Sequence, residues 1–230
     1  MIYTGVILKP PSVLANLKIA MQPETSDQPV LDPRIAFFDR LAATWDDEEQ
    51  DNAETLRRLE ELHDLLALRP GENLLEVGCG TGQLTGWLAD RVRPGRVVAI
   101  DFPTEMIQKA SAKGGGEFRV ADVCQDDLGD AEFDVVLCFH SFPHFRDQAV
   151  ALRNLARCLK PDGRLLVMHL QGRDAINAFH GSVGGAVGGD FLPDDEQWGA
   201  WLAEAGMKII QTIDREDFFC LQAGRKTVAR

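Results

Sequence analysis

Leu56, Leu59, Leu62, Leu65 and Leu66 fall on one side of a helical projection, with Arg57, Arg58, Glu60, Glu61 and Asp64 on the other. The pattern predicts one amphipathic helix, closed by Pro70-Gly71. Apolar runs of strand length follow at residues 73–77, 96–100, 117–121, 133–138 and 164–169. Helical repeats lie between them, carried by Leu84, Trp87, Leu88 and Val92, by Met106, Ile107 and Ala110, and by Val150, Leu152, Leu155, Ala156 and Leu159. Pro161-Asp162-Gly163 is a turn into the next strand. The rhythm predicts an α/β fold: a doubly wound, mostly parallel sheet with helices on both faces. Gly181, Gly184, Gly185, Gly188 and Gly189 then interrupt it, and the stretch reads as a mobile loop. Asp194 and Asp195 start a helix bearing Trp198, Trp201, Leu202 and Ala205, and residues 207–213 and 218–222 form a closing strand pair. Seven strands result, the last expected to be antiparallel.

At 230 residues, one domain is the default. Residues 22–33 are rich in Pro, Glu, Ser, Asp and Gln. Residues 1–33 therefore read as an N-terminal arm, partly ordered or flexible, and residues 34–230 as the single domain, with a lid or substrate-pocket insertion around residues 171–197. The formal charge of −12 opposes a nucleic-acid partner and favours a small molecule. Cys79, Cys124, Cys138, Cys158 and Cys220 form no C-x-x-C pair, which fits a reducing, cytoplasmic setting. Lys9, Pro10, Pro11, Asn16 and Lys18 break the apolar patches near the start, so no membrane span is expected. A homodimer is left open.

The candidate chemistry begins at Gly78, Gly80 and Gly82, between a buried strand and a helix. Glycines there let the backbone turn tightly and a ligand approach closely. A dinucleotide fingerprint would need its third glycine at position 83, which is Gln83, and no Gly-Lys-Ser or Gly-Lys-Thr follows to grip a triphosphate. A cofactor without a pyrophosphate is preferred. Taken singly, the loop also reads as a bare turn, and Asp101 reads first as a strand-end cap and Asp122 as a turn residue.

Taken in order, these motifs resemble the class I, Rossmann-like S-adenosylmethionine-dependent methyltransferase family over roughly residues 37–222. The resemblance implies that Glu76, Gly78, Cys79, Gly80, Thr81 and Gly82 cradle the methionine end of S-adenosyl-L-methionine. It implies that Asp101 accepts from the ribose hydroxyls, that Asp122 and Val123 read adenine, and that Phe102 packs on the adenine face. The segment from Phe37 to Asp46 is similar to the quinone-methylating and related small-molecule branch, in which an aromatic before Asp, here Trp45, folds over the cofactor. Trp45 is equally readable as a packing residue.

Residues 133–140 resemble the family's fourth motif, which implies that Phe139 and the loop after it line the transfer site. Methyl transfer needs alignment and exclusion of water, and a base only if the acceptor arrives protonated. His140 and His144 are the candidate catalytic residues, His140 being nearest the reaction zone. His169, His180 and Phe142 are candidate substrate contacts, with His180 placed just after a short helix beginning near Arg173.

No metal is assigned, because no local spacing supports one. An alternative in which His140, His144, His169 and His180 converge on a metal, or handle a metal or tetrapyrrole substrate, stays open. So do a cofactor-binding sensor or scaffold without turnover and an RNA or protein methyltransferase.

Overall fold

Four consecutive apolar or shielded residues, Leu74–Val77, can only be satisfied by a strand covered on both faces, and all four are buried in strand β1. The computed structural model describes residues 32–48 and 52–225. Most of the arm expected at residues 1–33 lies outside those residues. The described residues open with helix α1 (Pro33–Ala42), capped by the Asp32 side chain accepting from the Arg34 N–H, and short helix α2 (Trp45–Glu48). Helices α3 (Asn52–Glu61) and α4 (His63–Leu66) precede β1.

Then come α5 (Thr85–Val92), β2 (Val97–Asp101), α6 (Thr104–Lys113), β3 (Glu117–Val120), β4 (Phe133–Phe139), α7 (Gln148–Cys158) and β5 (Leu159–His169). The described residues close with α8 (Arg173–Val183), α9 (Asp195–Glu204), β6 (Met207–Arg215) and β7 (Phe218–Arg225).

These strands form one sheet in the order β3-β2-β1-β4-β5-β7-β6. β1 to β5 pair in parallel, and β7 runs antiparallel to both β5 and β6. The expected fold class is the observed one. Alternate strand residues feed two cores: Leu75 and Val77 face Trp198, Phe142 and Phe219, while Leu74 joins Leu59, Leu66, Leu88 and Val92. Strand order reverses between β2-β1 and β4-β5, which opens a crevice at the carboxyl ends of β1 and β4. Among the described residues, no helix is long and apolar enough to cross a membrane.

Three expectations change. The single leucine-faced helix is two helices, because Leu62 leaves helical geometry (φ −97°, ψ 13°) so that Leu59 and Leu66 both reach the core while Leu56, Leu62 and Leu65 stay half-buried. Pro161-Asp162-Gly163 lies within β5, where the register with β4 slips between the Phe133–Leu159 and Val135–Arg164 pairs. The glycine-rich stretch is not wholly loop. Gly181 is helical, residues 185–187 form a 3-10 turn, and Val187, Asp190 and Leu192 are buried. Glycine there serves close folding, since a Cβ on Gly188 would lie 2.5 Å from the Gly184 Cα.

Candidate functional site

The crevice holds a cavity of about 460 Å³, within the range of small-molecule sites. Its floor at one end is the turn after β1. Gly78 (φ +74°) and Gly80 (φ +55°) adopt left-handed backbone that glycine tolerates freely. The Gly80 N–H donates to Asp101 Oδ2 at 2.7 Å, and the Phe102 N–H donates to Asp101 Oδ1 at 2.8 Å. A single carboxylate at the end of β2 thus pins the loop and its own strand end together. Glu76 is buried behind it and accepts from Thr85 Oγ1 at 2.6 Å.

Burial raises both carboxyls, Glu76 to about 7 and Asp101 to about 6. Hydrogen bonds from Thr85, and from the Gly80 and Phe102 amides, offset part of this, and each carboxyl has another acid nearby. A folded-state pKa above the unfolded one means that stability is fully present below the unfolded value and lost as pH rises through the folded one. Glu76→Gln is therefore expected to stabilise the cofactor-free protein at about pH 8, by up to about 3 kcal/mol, with the gain vanishing near pH 4.5. Thermal unfolding across that range tests it; a difference independent of pH would mean that Glu76 ionises freely.

α1 and α2 roof this end. Asp46 accepts from Thr81 Oγ1 at 2.5 Å, from Gln83 Nε2 at 3.2 Å and from Lys113 Nζ, which fastens α2 to the glycine turn. Trp45 lies over Gly80, so that a Cβ there would sit 3.5 Å from the indole nitrogen. Phe38 packs edge-on against Trp45, Phe102 and His144. Further along, Asp122 and Val123 line the cavity. Asp122 Oδ1 accepts from the Cys124 N–H at 2.8 Å, while its Oδ2 takes Gln125 and Arg146. The Val123 N–H meets no protein acceptor among the described residues.

The far end is a wall of histidines. His140 sits just past β4 at φ +55°, a conformation costly for a non-glycine residue, held by its N–H donating to the Met168 carbonyl. Its Nε2 accepts from the Leu170 N–H at 3.2 Å, so in the neutral ring the proton resides on Nδ1. The ring surface is open to the cleft, yet protein surrounds it; lost hydration, with the charge of Arg58 and the nearby His144, lowers its pKa to about 4. The hydrogen bond from Leu170 acts in the same direction.

His169, at the end of β5, is buried 5.1 Å from His140 ring to ring, and its Nε2 has no partner. Its pKa is well below the ordinary value, again through burial first. His180 lies inside α8, not after a helix, and its Nδ1 binds the Asp190 carbonyl. Burial, then the proximity of His144, lowers it to about 4, against a smaller opposing effect of Asp190. His144 Nδ1 meets the carboxylate of Asp190 at 2.8 Å.

Two groups of expected residues change role. Phe142 is fully buried against Phe145 and Trp198 and lines no part of the cavity. It begins the 3-10 turn of residues 142–144 and packs there on Trp198 of α9. Thr81 and Gly82 also turn away: the Thr81 hydroxyl is spent on Asp46, and a Cβ on Gly82 would lie 3.0 Å from the Ala110 Cβ. The four histidines split into two pairs, His140 with His169 and His144 with His180. No group of three or more His, Cys, Asp or Glu side chains among the described residues could hold a metal, so the four-histidine metal alternative lacks a ligand set.

Residues 75–167 match the family model described as a methyltransferase domain. Those residues carry a methyltransferase domain, and the sheet around them has the fold of the class I S-adenosylmethionine-dependent methyltransferases. It is 30% identical to phosphoethanolamine N-methyltransferase 3 of Arabidopsis thaliana, over 71% of this chain and 34% of that protein. It is 36% identical to the nocamycin O-methyltransferase of Saccharothrix syringae, over 56% of this chain and 48% of that protein. These matches span about a third to a half of the relatives' own length. The fold matches that of magnesium protoporphyrin IX methyltransferase from Synechocystis PCC 6803 with bound S-adenosylmethionine, at TM-score 0.59 and 21% identity, covering 88% of this chain and 100% of that one.

The cavity residues fit S-adenosylmethionine, the cofactor that the sequence resemblance implies. Gly78 and Gly80 line the cavity, the Asp101 carboxylate suits a diol, and the unpaired Val123 N–H suits a ring nitrogen. Sequence reasoning missed Ser141, whose hydroxyl donates to the Val77 carbonyl at 2.6 Å and seats the β4 loop on the glycine turn. It also missed Asp190, buried and bound by His144 and Arg34, and the cavity contacts of Ile176 and Leu170. Asp190 had no signal of its own, being one acid at the end of a glycine-rich run.

Proposed function

We propose that this protein transfers the methyl group of S-adenosylmethionine to a small, largely apolar hydroxyl acceptor in the cytosol, leaving S-adenosylhomocysteine. One observation carries the reading: a single cavity runs from the glycine turn to the histidine wall, so donor and acceptor sites share one enclosure. When bound, the cofactor supplies a methyl group on a positively charged sulfonium, so the protein's work is alignment and exclusion of water. Gly78, Gly80 and Glu76 hold the methionine end, Asp101 the ribose, and Asp122, Val123 and Phe102 the adenine. Trp45 and Phe38, carried on α2 and α1, roof the cleft against water. Phe139, His140, His144, His169 and His180 form the acceptor end.

The chemistry of that end favours an uncharged acceptor. Phe139, Phe145, Phe179, Leu170 and Ile176 surround the imidazoles, and the one Arg or Lys among the described lining residues, Arg146, is already paired with Asp122. A phosphorylated acceptor would find no free cation there. A hydroxyl would find imidazole donors and acceptors.

Incubation with methyl-labelled S-adenosylmethionine and a panel of phenols, thiols and amines tests the reading. Labelled product is expected from the hydroxylated aromatics. Tight cofactor binding with no transfer to any of the panel would favour a sensor instead.

A further inference from the structure

The geometry points to His144, held by Asp190 and Arg34, as the general base that takes the acceptor hydroxyl's proton, so that the acceptor class is a weakly acidic alcohol or phenol. The inference rests on the methyl-transfer reading above. Three elements far apart in sequence build the arrangement. His144 comes from the loop after β4, Asp190 from the segment after α8, and Arg34 from the first turn of α1.

The Asp190 carboxylate is fully buried yet held below the usual carboxylate range, because hydrogen bonds from His144 and Arg34 outweigh the cost of burial. Arg34 Nε donates to both of its oxygens at 3.1 Å, and the guanidinium also reaches Asp32 at 3.3 Å. One guanidinium between two carboxylates leaves a single negative charge over. That charge lies against His144 Nδ1 and can balance one imidazolium. Binding at Nδ1 leaves Nε2 as the working nitrogen, and it has no protein partner among the described residues. The ring lies on the cavity wall between Phe38 and His180, each 5.0 Å away ring to ring.

The other histidines are unsuited to the task. His140 spends Nε2 on the Leu170 N–H, His169 is buried without an anionic partner, and His180 is held by a carbonyl instead of a carboxylate. The remaining charged or titratable groups facing His144 are these three neutral rings; Arg58 lies beyond His140, and Arg146 is turned to Asp122. In the transfer, the oxygen–hydrogen bond breaks as its proton passes to Nε2. The oxygen forms a bond to the methyl carbon, and the carbon–sulfur bond breaks with its electron pair kept by sulfur. A positive sulfonium and a neutral imidazole thereby become a neutral thioether and an imidazolium. Asp190 and Arg34 are positioning residues: they fix the ring and its tautomer and stabilise the charged product.

The test compares Asp190→Asn and His144→Gln with the wild-type full chain on two acceptors, para-cresol and para-nitrophenol, in mildly alkaline buffer. Para-cresol arrives protonated and needs a base, whereas para-nitrophenol is largely ionised already. With para-cresol, kcat is expected to fall by roughly 100-fold or more in both variants. With para-nitrophenol it should fall by less than about tenfold, and S-adenosylhomocysteine affinity by calorimetry should be unchanged.

Equal losses on the two acceptors, or full para-cresol activity in His144→Gln, would overturn the assignment while leaving methyl transfer intact. If Asp190→Asn loses cofactor binding through misfolding, His144→Gln decides alone. Cofactor binding by the wild type with no transfer to either phenol overturns the methyl-transfer reading and this assignment with it.

Discussion

Replacing Gly78 by valine is expected to abolish useful cofactor binding. At φ +74° any L side chain is strained by about 1–2 kcal/mol, and a β-branched one by more. The new Cβ would stand 2.3 Å from the Ser141 Cβ and 2.9 Å from its Oγ. Ser141 cannot rotate clear without breaking its 2.6 Å hydrogen bond to the Val77 carbonyl, and its backbone follows directly from β4. Overpacking at such a contact adds about 1–3 kcal/mol, so the turn should shift rather than accept the side chain. A total of about 2–5 kcal/mol, if expressed in binding, is more than a tenfold loss of affinity for S-adenosylhomocysteine by calorimetry. Gly86→Ala is the control. It lies in α5 with open space around its Cβ position, and its affinity should match wild type. A Gly78→Val protein that binds within twofold of wild type would exclude this turn as the donor cradle.

Asp101→Ala should be nearly as severe for a different reason. Two amides, of Gly80 and Phe102, lose their acceptor at once, and an amide left unpaired in a buried place costs about 1–3 kcal/mol. The ribose hydroxyls lose a charged acceptor worth a further ~1.5–3 kcal/mol. Affinity is expected to drop by about 2–4 kcal/mol, since the losses are not fully additive. Asp101→Asn should recover little, because its NH2 would face an N–H donor. The carboxyl titrates near 6 in the cofactor-free fold, so wild-type affinity should weaken as pH falls through that value. Both asparagine and alanine variants should lose the part of that dependence centred near 6, leaving the part near 7 that belongs to Glu76. Affinity within threefold of wild type in Asp101→Ala, or a flat wild-type profile, would remove Asp101 from the ribose site.

Much of this was legible from local pattern. Apolar runs bounded by turn residues place β1 to β5 within a residue or so at most ends, because a doubly covered strand tolerates few polar interruptions. The glycine turn, Asp101 and Asp122 were readable because their conformational and chemical demands are met by few residue types. Trp45 was readable only as an alternative. Its position over Gly80 depends on Asp46 reaching Thr81, Gln83 and Lys113, and no pattern within residues 37–46 contains those partners.

By itself, then, the sequence determined the sheet's strands and the place of the glycine turn with the carboxylates beside it, since each depends on neighbours a few residues away. Only the tertiary structure decided which histidine carries a buried counter-charge. Arg34, His144 and Asp190 meet across separations of 156 and 46 residues, and a lone acid or base carries no periodicity to announce such a meeting. The same holds for Phe142, an aromatic beside two histidines in sequence that burial against Trp198 takes away from the cavity. Which face of an irregular loop turns inward is set by the packing beneath it, and that packing comes from α9, more than fifty residues further along the chain.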